Sequence, residues 1–326
     1  MRVGVIGTMV WDKIHARDGR SVPFEEWGGV TYSLSAADAA LPEGWTLHPI
    51  LKVGSDLQDQ AFTFLRTLEN VDLTTGIRVV PEPNNRVELH YQDDARRCER
   101  LTGGVPPWTW AELAPVLNDI DALYINFLSG FEIGLSDAVQ MRLGYHGPMY
   151  ADLHSLLLGV DPTGLRVPQP LIAWRDWLRC FDVVQVNEDE LTLLAQLWGD
   201  PWLFAADVVG DELKLLLVTL GDRGAAYVAS SAFNPDPMQW RPRGTIMRPP
   251  WSRTGAESRK VALDQLPSRG DPTGCGDVWG ATCFVRLLAG DDLETAMLSA
   301  NQAAMRNVQH RGATGLNHFL RGRITS

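Results

Sequence analysis

Five short runs of β-branched and aliphatic residues, each stopped by small or polar residues, set the tightest limit on the fold. RVGVIG (2–7) stops at Gly7, ALYINF (122–127) runs into LSG, and PMYADL (148–153) into HS. DVVQVN (182–187) ends in EDE, and LKLLLVTLG (213–221) in DRG. Runs apolar on both faces suit strands covered on both sides, as in a parallel sheet, better than half-exposed antiparallel strands. Helix-like stretches lie between them: SLSAADAAL (33–41), DQAFTFLRTL (59–68), WAELAPVL (110–117), DELTLLAQLW (189–198) and DVWGATCFVRLLA (277–289). This alternation predicts an α/β fold with a doubly wound, mostly parallel sheet flanked by helices, whose ligands collect at the carboxyl ends of the strands.

Two regions break the rhythm. Residues 13–27 are polar without a helix pattern, and RVELHYQ (86–92) alternates like a half-exposed strand. A small β flap over the site accounts for both. The stretch 231–256, rich in Pro, Ser and Arg, reads as a long irregular loop or hairpin. The 12 tryptophans are scattered, which marks them as core or rim residues, and no repeat or low-complexity tract occurs.

At 326 residues the chain could form one large α/β domain or two ordinary ones. Hydrophobic content of 45% and charged content of 21% are those of a soluble globular protein. The net charge of −11, without a long basic run, argues against general nucleic-acid binding. MRVGVIG lacks the features of a signal peptide, and the longest apolar runs fall far short of a membrane span. Cys98, Cys180, Cys275 and Cys283 have no metal-type spacing and read as reduced thiols. These features predict a cytoplasmic protein that binds neither nucleic acid nor membrane.

DPTGCGDVWGA (271–281) concentrates glycines and acids late in the chain. KVALDQL (260–266) reads as a strand, SRGDPTG as a turn, and Asp277 onward as a helix. Gly274, Cys275 and Gly276 would then present N–H groups at a helix N-terminus, where the dipole favours an anion. Small residues let a phosphate approach the backbone closely. A capped helix after a glycine turn explains Asp277 equally well, at about 1 kcal/mol. Trp279 occupies the third glycine position of a dinucleotide fingerprint, and no G-x-x-x-x-G-K-[ST] occurs, so neither a Rossmann cradle nor a P-loop is present.

DPTGCGDVWGATCFVRLLAG, continued by AMLSANQAAMRNVQHRGATGL (296–316), resembles the C-terminal signature of the ribokinase-like (PfkB) carbohydrate kinases. The resemblance implies a single ribokinase-like domain over 1–326, with lid strands inserted at about 13–29 and 80–104. It implies an anion hole at Gly274, Cys275 and Gly276, and Asp277 as the base for the acceptor hydroxyl. The positive end of a helix keeps such a carboxylate ionised. Asp271 and Thr273 resemble positions near a monovalent-cation (K⁺) site. GTMVWD (7–12) resembles the end of the first strand, where an aspartate, here Asp12, binds substrate hydroxyls. WGGVTYSLSAADAAL (27–41) resembles the diglycine motif, with Gly28 and Gly29 against the sugar. VGSDLQD (53–59) resembles the VGxDxxG segment. NEDE (187–190) resembles an N-x-x-E motif in which Asn187 and Glu190 organise Mg²⁺, mostly through water. VTLGDRGA (218–225) resembles a nucleotide-contacting element, giving Thr219, Gly221 and Gly224, and Asn301 falls in a helix bordering the adenine. Read singly, each motif also fits a cap or a turn; together they occur in the family's order.

Three positions depart from the pattern. Ser33 stands where an asparagine contacts the sugar, Asp59 replaces a glycine, and Cys275 replaces the common alanine. Cys275 leaves the backbone donor intact, whereas Pro272 removes one donor and stiffens the turn. The resemblance therefore implies ATP-dependent phosphorylation of a hydroxyl on a small sugar-like molecule. A nucleoside acceptor, stacked on Trp11, Trp27 or Tyr32, and a catalytically weak sugar or nucleotide sensor are the alternatives. Arg96, Arg97 and Arg100 fit a solvated loop better than a contact with an anionic substrate, which they could also reach, and the flap strand RVELHYQ could pair across a homodimer.

Overall fold

A computed structural model of the chain describes residues 1–15, 23–91, 97–210, 212–231, 233–240, 255–264 and 270–323. Its strands are β1 Arg2–Ile6, β2 Met9–His15, β3 Phe24–Gly29, β4 Thr46–Gly54, β5 Ile77–Val80, β6 Arg86–Tyr91, β7 Arg97–Thr102 and β8 Ala122–Asn126. They continue with β9 Met149–Asp152, β10 Leu158–Val160, β11 Arg166–Pro168, β12 Val183–Asn187, β13 Leu215–Thr219, β14 Ala225–Ser230 and β15 Ala256–Val261. The helices are α1 Val30–Ala40, α2 Gln58–Leu65, α3 Trp110–Leu117, α4 Leu135–Gly144, α5 Trp174–Arg179, α6 Glu188–Leu194, α7 Pro201–Val208, α8 Cys275–Leu288, α9 Leu293–Asn307 and α10 Leu316–Leu320.

Nine strands form one sheet in the order β15-β14-β13-β12-β9-β8-β1-β4-β5. From β13 to β5 neighbouring strands are parallel, and β14 and β15 close one edge antiparallel. The five apolar runs of the sequence are β1, β8, β9, β12 and β13, and their side chains feed two cores on opposite faces. One core packs α1, α2, α8, α9 and α10; the other packs α3 to α7. Each fully buried aliphatic side chain adds about 1.5–3 kcal/mol, and a sheet covered on both sides needs them on both faces of every strand. After β1 the chain builds toward β4 and β5, then returns to the other flank of β1 with β8. That reversal opens a crevice at the carboxyl ends of β1 and β8.

A second sheet, β3-β2-β6-β7, forms a lid with its own small cluster of Val10, Val87 and Leu89. Here the structure revises the sequence expectation in detail. Residues 13–27 include strand at both ends, β2 through His15 and β3 from Phe24. Asp12 lies in the middle of lid strand β2 rather than at the end of β1. The break falls at Gly7, where a Cβ would press on Val30, and the chain leaves the central sheet there. The strand expected at KVALDQL is β15, which starts at Ala256 and ends at Val261. Most of 231–256 lies outside the described residues. Strand β4 carries Pro49, a strand-weakening residue. Its missing N–H falls between the bonds Leu47 N to Asn70 O and Leu51 N to Gly76 O, before β5 begins pairing at Ile77.

Cys180, Cys275 and Cys283 are free thiols. No helix among the described residues is long and apolar enough to cross a membrane.

Candidate active site

The site begins with the turn before α8. Asp271 Oδ1 accepts from Thr273 N at 2.9 Å and from Thr273 Oγ1 at 2.6 Å, and Cys275 N bonds Pro272 O at 3.1 Å. Gly274 then takes the left-handed conformation, φ 76°, as the N-cap of α8. A Cβ there would run into the Tyr32 ring, so glycine is required for space as well as for φ. The first helical bond runs from Val278 N to Gly274 O. The N–H groups of Gly274 and Gly276 have no acceptor among the described residues. Of the three expected anion-hole donors, Cys275 is thus engaged in the turn, and Gly274 and Gly276 remain. Burial pushes the Cys275 thiol up to about 11, so it adds no negative charge to the cradle.

Asp277 stands in the first turn of α8 and lines a cavity of about 90 Å³. Asp12, Gly29 and Tyr32 line it too, with Leu89 and Glu99 from the lid and Leu128, His154 and Arg166 from the core side. Gly28 is the neighbour that makes room for Asp12, since a Cβ at that position would collide with the Asp12 carboxylate. Burial first, then the carboxylates of Asp12, Glu26, Asp271 and Asp277, push the Tyr32 phenol far above its ordinary value. Tyr32 is therefore a neutral hydroxyl at the cavity wall. Trp11 alternates with Val10 and Asp12 along β2 and faces away from the cavity, meeting Trp27 edge-on at 5.0 Å.

Beneath Asp277 lies a row of polar residues that sequence reasoning missed. Asn126 and Asp152 end β8 and β9, and Gln185, in the middle of β12, lies in register with them. Asn126 Nδ2 donates to Asp277 Oδ1 at 2.6 Å and to Ser33 Oγ at 2.9 Å. Gln185 Nε2 donates to Asp152 Oδ2 at 2.9 Å and to Gly276 O at 3.0 Å. Burial, reinforced by the charges of Glu190 and Asp277, raises Asp152 well above the usual carboxylate range. Ser33 is fully buried, and its hydroxyl donates to Asp277 O at 3.4 Å. It supports Asp277 from behind and does not line the cavity. The signal for this row was a polar residue within or near the end of an apolar run, toward the edge where α/β sheets bind ligands.

Asn187 and Glu190 form a capping box on α6. Asn187 Oδ1 accepts from Glu190 N at 2.9 Å, and Glu190 Oε2 accepts from Asn187 N at 2.8 Å. Glu190 Oε1 accepts from Asn187 Nδ2 at 2.7 Å and faces His154 Nδ1 at 2.5 Å. Burial alone would lower His154, but the charge and hydrogen bond of Glu190, with Asp152 and Glu99, raise it above its ordinary value. Thr219 ends β13 in register with Asn187. The turn after it uses positive φ at Gly221 and Gly224, and a Cβ at Gly224 would strike Val261 O. Asn301, expected on a helix that borders the adenine, lies on α9. Its Oδ1 accepts from Trp279 Nε1 at 2.8 Å, and its Nδ2 donates to Val261 O and Ala262 O at 3.2 and 3.3 Å. It is buried, and its amide is spent on bonds that brace α8, α9 and β15 together. Arg96 and the Arg97 side chain lie outside the described residues, and Arg100 donates to Thr163 O at 2.9 Å. Asp59 is exposed on α2, away from the cavity.

A doubly wound sheet, a β lid over the switch point, and a glycine-capped helix carrying a carboxylate into the crevice define the ribokinase-like fold. The chain is similar over nearly its whole length to solved structures of that fold. A ribokinase from Thermotoga maritima matches at TM-score 0.72 and 16% identity, covering 99% of each chain. A Burkholderia thailandensis nucleoside kinase in complex with inosine matches at 0.68 and 15%, covering 99% of this chain and 97% of the other. A Xylella fastidiosa fructokinase with bound ATP matches at 0.69 and 15%, covering 97% and 94%. No family model matches the sequence. No curated protein matches it either.

Proposed function

We propose that the protein is an ATP-dependent kinase that transfers the γ-phosphoryl group to a hydroxyl of a sugar or sugar derivative, with Asp277 as general base. The observation that carries this reading is Asp277 at the cavity wall, one residue past two helix-start N–H donors with no acceptor among the described residues. A pure binding protein has no use for a carboxylate beside an anion cradle, and a capped helix has no use for a cavity in front of it.

In the reaction, Asp277 takes the proton of the acceptor hydroxyl as that oxygen bonds the γ-phosphorus and the bond to the ADP leaving oxygen breaks. A carboxylate is a weak base for an alcohol, which suits a loose transition state where deprotonation comes late. The Gly274 and Gly276 N–H groups receive negative charge on the transferred group. Asn126 fixes the carboxylate, and the lid excludes water. The residues also fit a water-held Mg²⁺. Glu190 Oε1 already meets two partners and Oε2 one, which leaves Glu190 an open lone pair on Oε2 for a bridging water. Bound there, the ion would neutralise phosphate charge. Asp271 uses only Oδ1 in its turn and so leaves Oδ2 for a monovalent cation.

Two features favour a sugar over a nucleoside acceptor. The cavity of about 90 Å³ is closer in scale to a monosaccharide, and Trp11 does not face it. An ADP-release screen over sugars, sugar acids, sugar phosphates and nucleosides tests the reading. Turnover with a sugar-class acceptor is expected. Turnover confined to nucleosides would replace the acceptor, and ligand binding without any turnover would replace the kinase by a sensor.

A further inference from the structure

We propose that the face of the lid turned away from the cavity carries a site for a divalent transition-metal ion, held by His15, Glu88 and His90. The ligand atoms of these three side chains all lie within 4.8 Å of one another, the one such group among the described residues. The strands dictate the arrangement. Parallel pairing of β2 with β6 sets His15 in register with His90, and Glu88 lies two residues earlier on the same face. Val10 and Asp12, with Val87 and Leu89, occupy the opposite, cavity-lining face. The ion would therefore sit apart from the phosphoryl-transfer centre, and the inference stands whether or not the protein is a kinase.

The donors are available. His15 Nε2 is buried without a hydrogen-bond partner among the described residues, and a buried ring nitrogen in that state calls for an explanation. The His15 and His90 rings stack at 4.1 Å and 14°. Glu88 meets Lys13 Nζ at 3.6 Å and His90 Nε2 at 3.9 Å, on half-exposed side chains. Such pairs are weak enough for a metal ion to displace. Zinc–ligand bonds of about 2.1 Å put tetrahedral ligand atoms about 3.4 Å apart. Closing the group onto one ion thus takes up to about 1.4 Å of approach between ligand atoms and a tilt of the two rings out of their parallel stack so that their in-plane lone pairs converge, with the strand register unchanged. Two imidazoles and one carboxylate select Zn²⁺, Ni²⁺ or Cu²⁺ over Mg²⁺ or Ca²⁺ and leave a fourth position for water. The bound ion would clip the two central lid strands together at their outer ends.

The test is zinc titration of tag-free, chelator-stripped protein by calorimetry, with visible absorbance on Co²⁺ substitution reporting coordination geometry. One saturable equivalent is expected, unaffected by Mg²⁺ and weakened by about tenfold or more in the double variant His15→Ala, His90→Ala. That variant also separates this site from the His154–Glu190 pair. Should it fail to fold, Glu88→Gln, which keeps the side-chain shape, takes its place under the same criterion. No saturable zinc binding by the wild type, or weakening below about tenfold, overturns the proposal.

Discussion

Asp277→Asn separates chemistry from structure at the proposed centre. Asparagine keeps the shape of aspartate, and its carbonyl oxygen can go on accepting from Asn126 Nδ2, 2.6 Å from Asp277 Oδ1 in the wild type. The Ser33 hydroxyl bonds the main-chain oxygen of residue 277, which the change does not touch. Helix α8 loses a negative charge in its first turn, worth about 0.3–1 kcal/mol, so the melting temperature should fall by a few degrees at most. A positioned general base contributes about 10²–10⁴-fold in rate. At about 1.36 kcal/mol per decade that is about 2.7–5.4 kcal/mol of barrier, several times the structural effect. ADP release at saturating ATP and acceptor is the assay, read alongside a thermal melt. The expected result is kcat lower by about 10²–10⁴-fold with KM for ATP little changed. A variant that melts normally and turns over at a rate close to the wild type would refute Asp277 as the base.

Three further changes probe the same architecture. Asn126→Ala removes a charge-assisted bond worth about 1.5–3 kcal/mol, so kcat should fall by about tenfold or more for every acceptor; unchanged kcat would mean that Asn126 does not position Asp277. Gly274→Ala forces a side chain into positive φ, at about 1–3 kcal/mol, and into the Tyr32 ring; a lower melting temperature and weaker ATP binding by calorimetry are expected, and an unchanged melt contradicts the turn geometry. For Glu112, burial alone would raise the carboxyl, but hydrogen bonds from Lys52 and Thr109 hold it at about 2. Its folded value thus lies below the unfolded one, so its contribution is present above about pH 4.5 and is lost as pH falls toward 2. Glu112→Gln leaves Lys52 buried without its carboxylate partner at 2.9 Å. The variant should be less stable by about 3 kcal/mol at neutral pH in urea denaturation, and a gap that fails to narrow on acidification would contradict the pair's role.

Much of the frame was legible in the sequence because burial on two faces leaves a direct mark on composition. The five apolar runs became β1, β8, β9, β12 and β13, and WAELAPVL became α3 over the expected residues. Strand β4 escaped because Pro49 argues against a central strand, and its compatibility depends on where β5 begins pairing. The same limit applies to the site. Asp277, Gly274 and Asp12 stood out through local motif and do meet at one cavity or its edge. Asn126, Asp152 and Gln185 are far apart in sequence, and only strand register makes them a row. Asn301 was expected to border the nucleotide, and its hydrogen bonds turn inward, a matter of orientation that no motif encodes. Ser33 stands where the resemblance implies a sugar contact, whereas in the fold it and Asn126 brace Asp277 together.

That bracing divides labour within the proposed kinase. The groups assigned to phosphoryl transfer rest on the central sheet and α8, where Asn126 on β8 and Gln185 on β12 tie the sheet to Asp277 and Gly276. With Ser33 turned to the back of the base, acceptor recognition falls to residues brought by the lid, above all Asp12 on β2. The two sets should respond differently to mutation. Asp12→Asn keeps the side-chain shape but replaces a charge-assisted bond to a substrate hydroxyl with a neutral one. Losing about 1.5–3 kcal/mol lowers kcat/KM for the acceptor by about 10–150-fold, mainly through KM, and by different factors for acceptors that present that hydroxyl differently. Asn126→Ala lowers kcat by one factor for all of them. Steady-state kinetics on two acceptors, varied in turn at saturating ATP, distinguish the patterns. If Asp12→Asn depressed kcat uniformly and left every acceptor KM alone, Asp12 would belong with the chemistry, and the lid would act only as a cover.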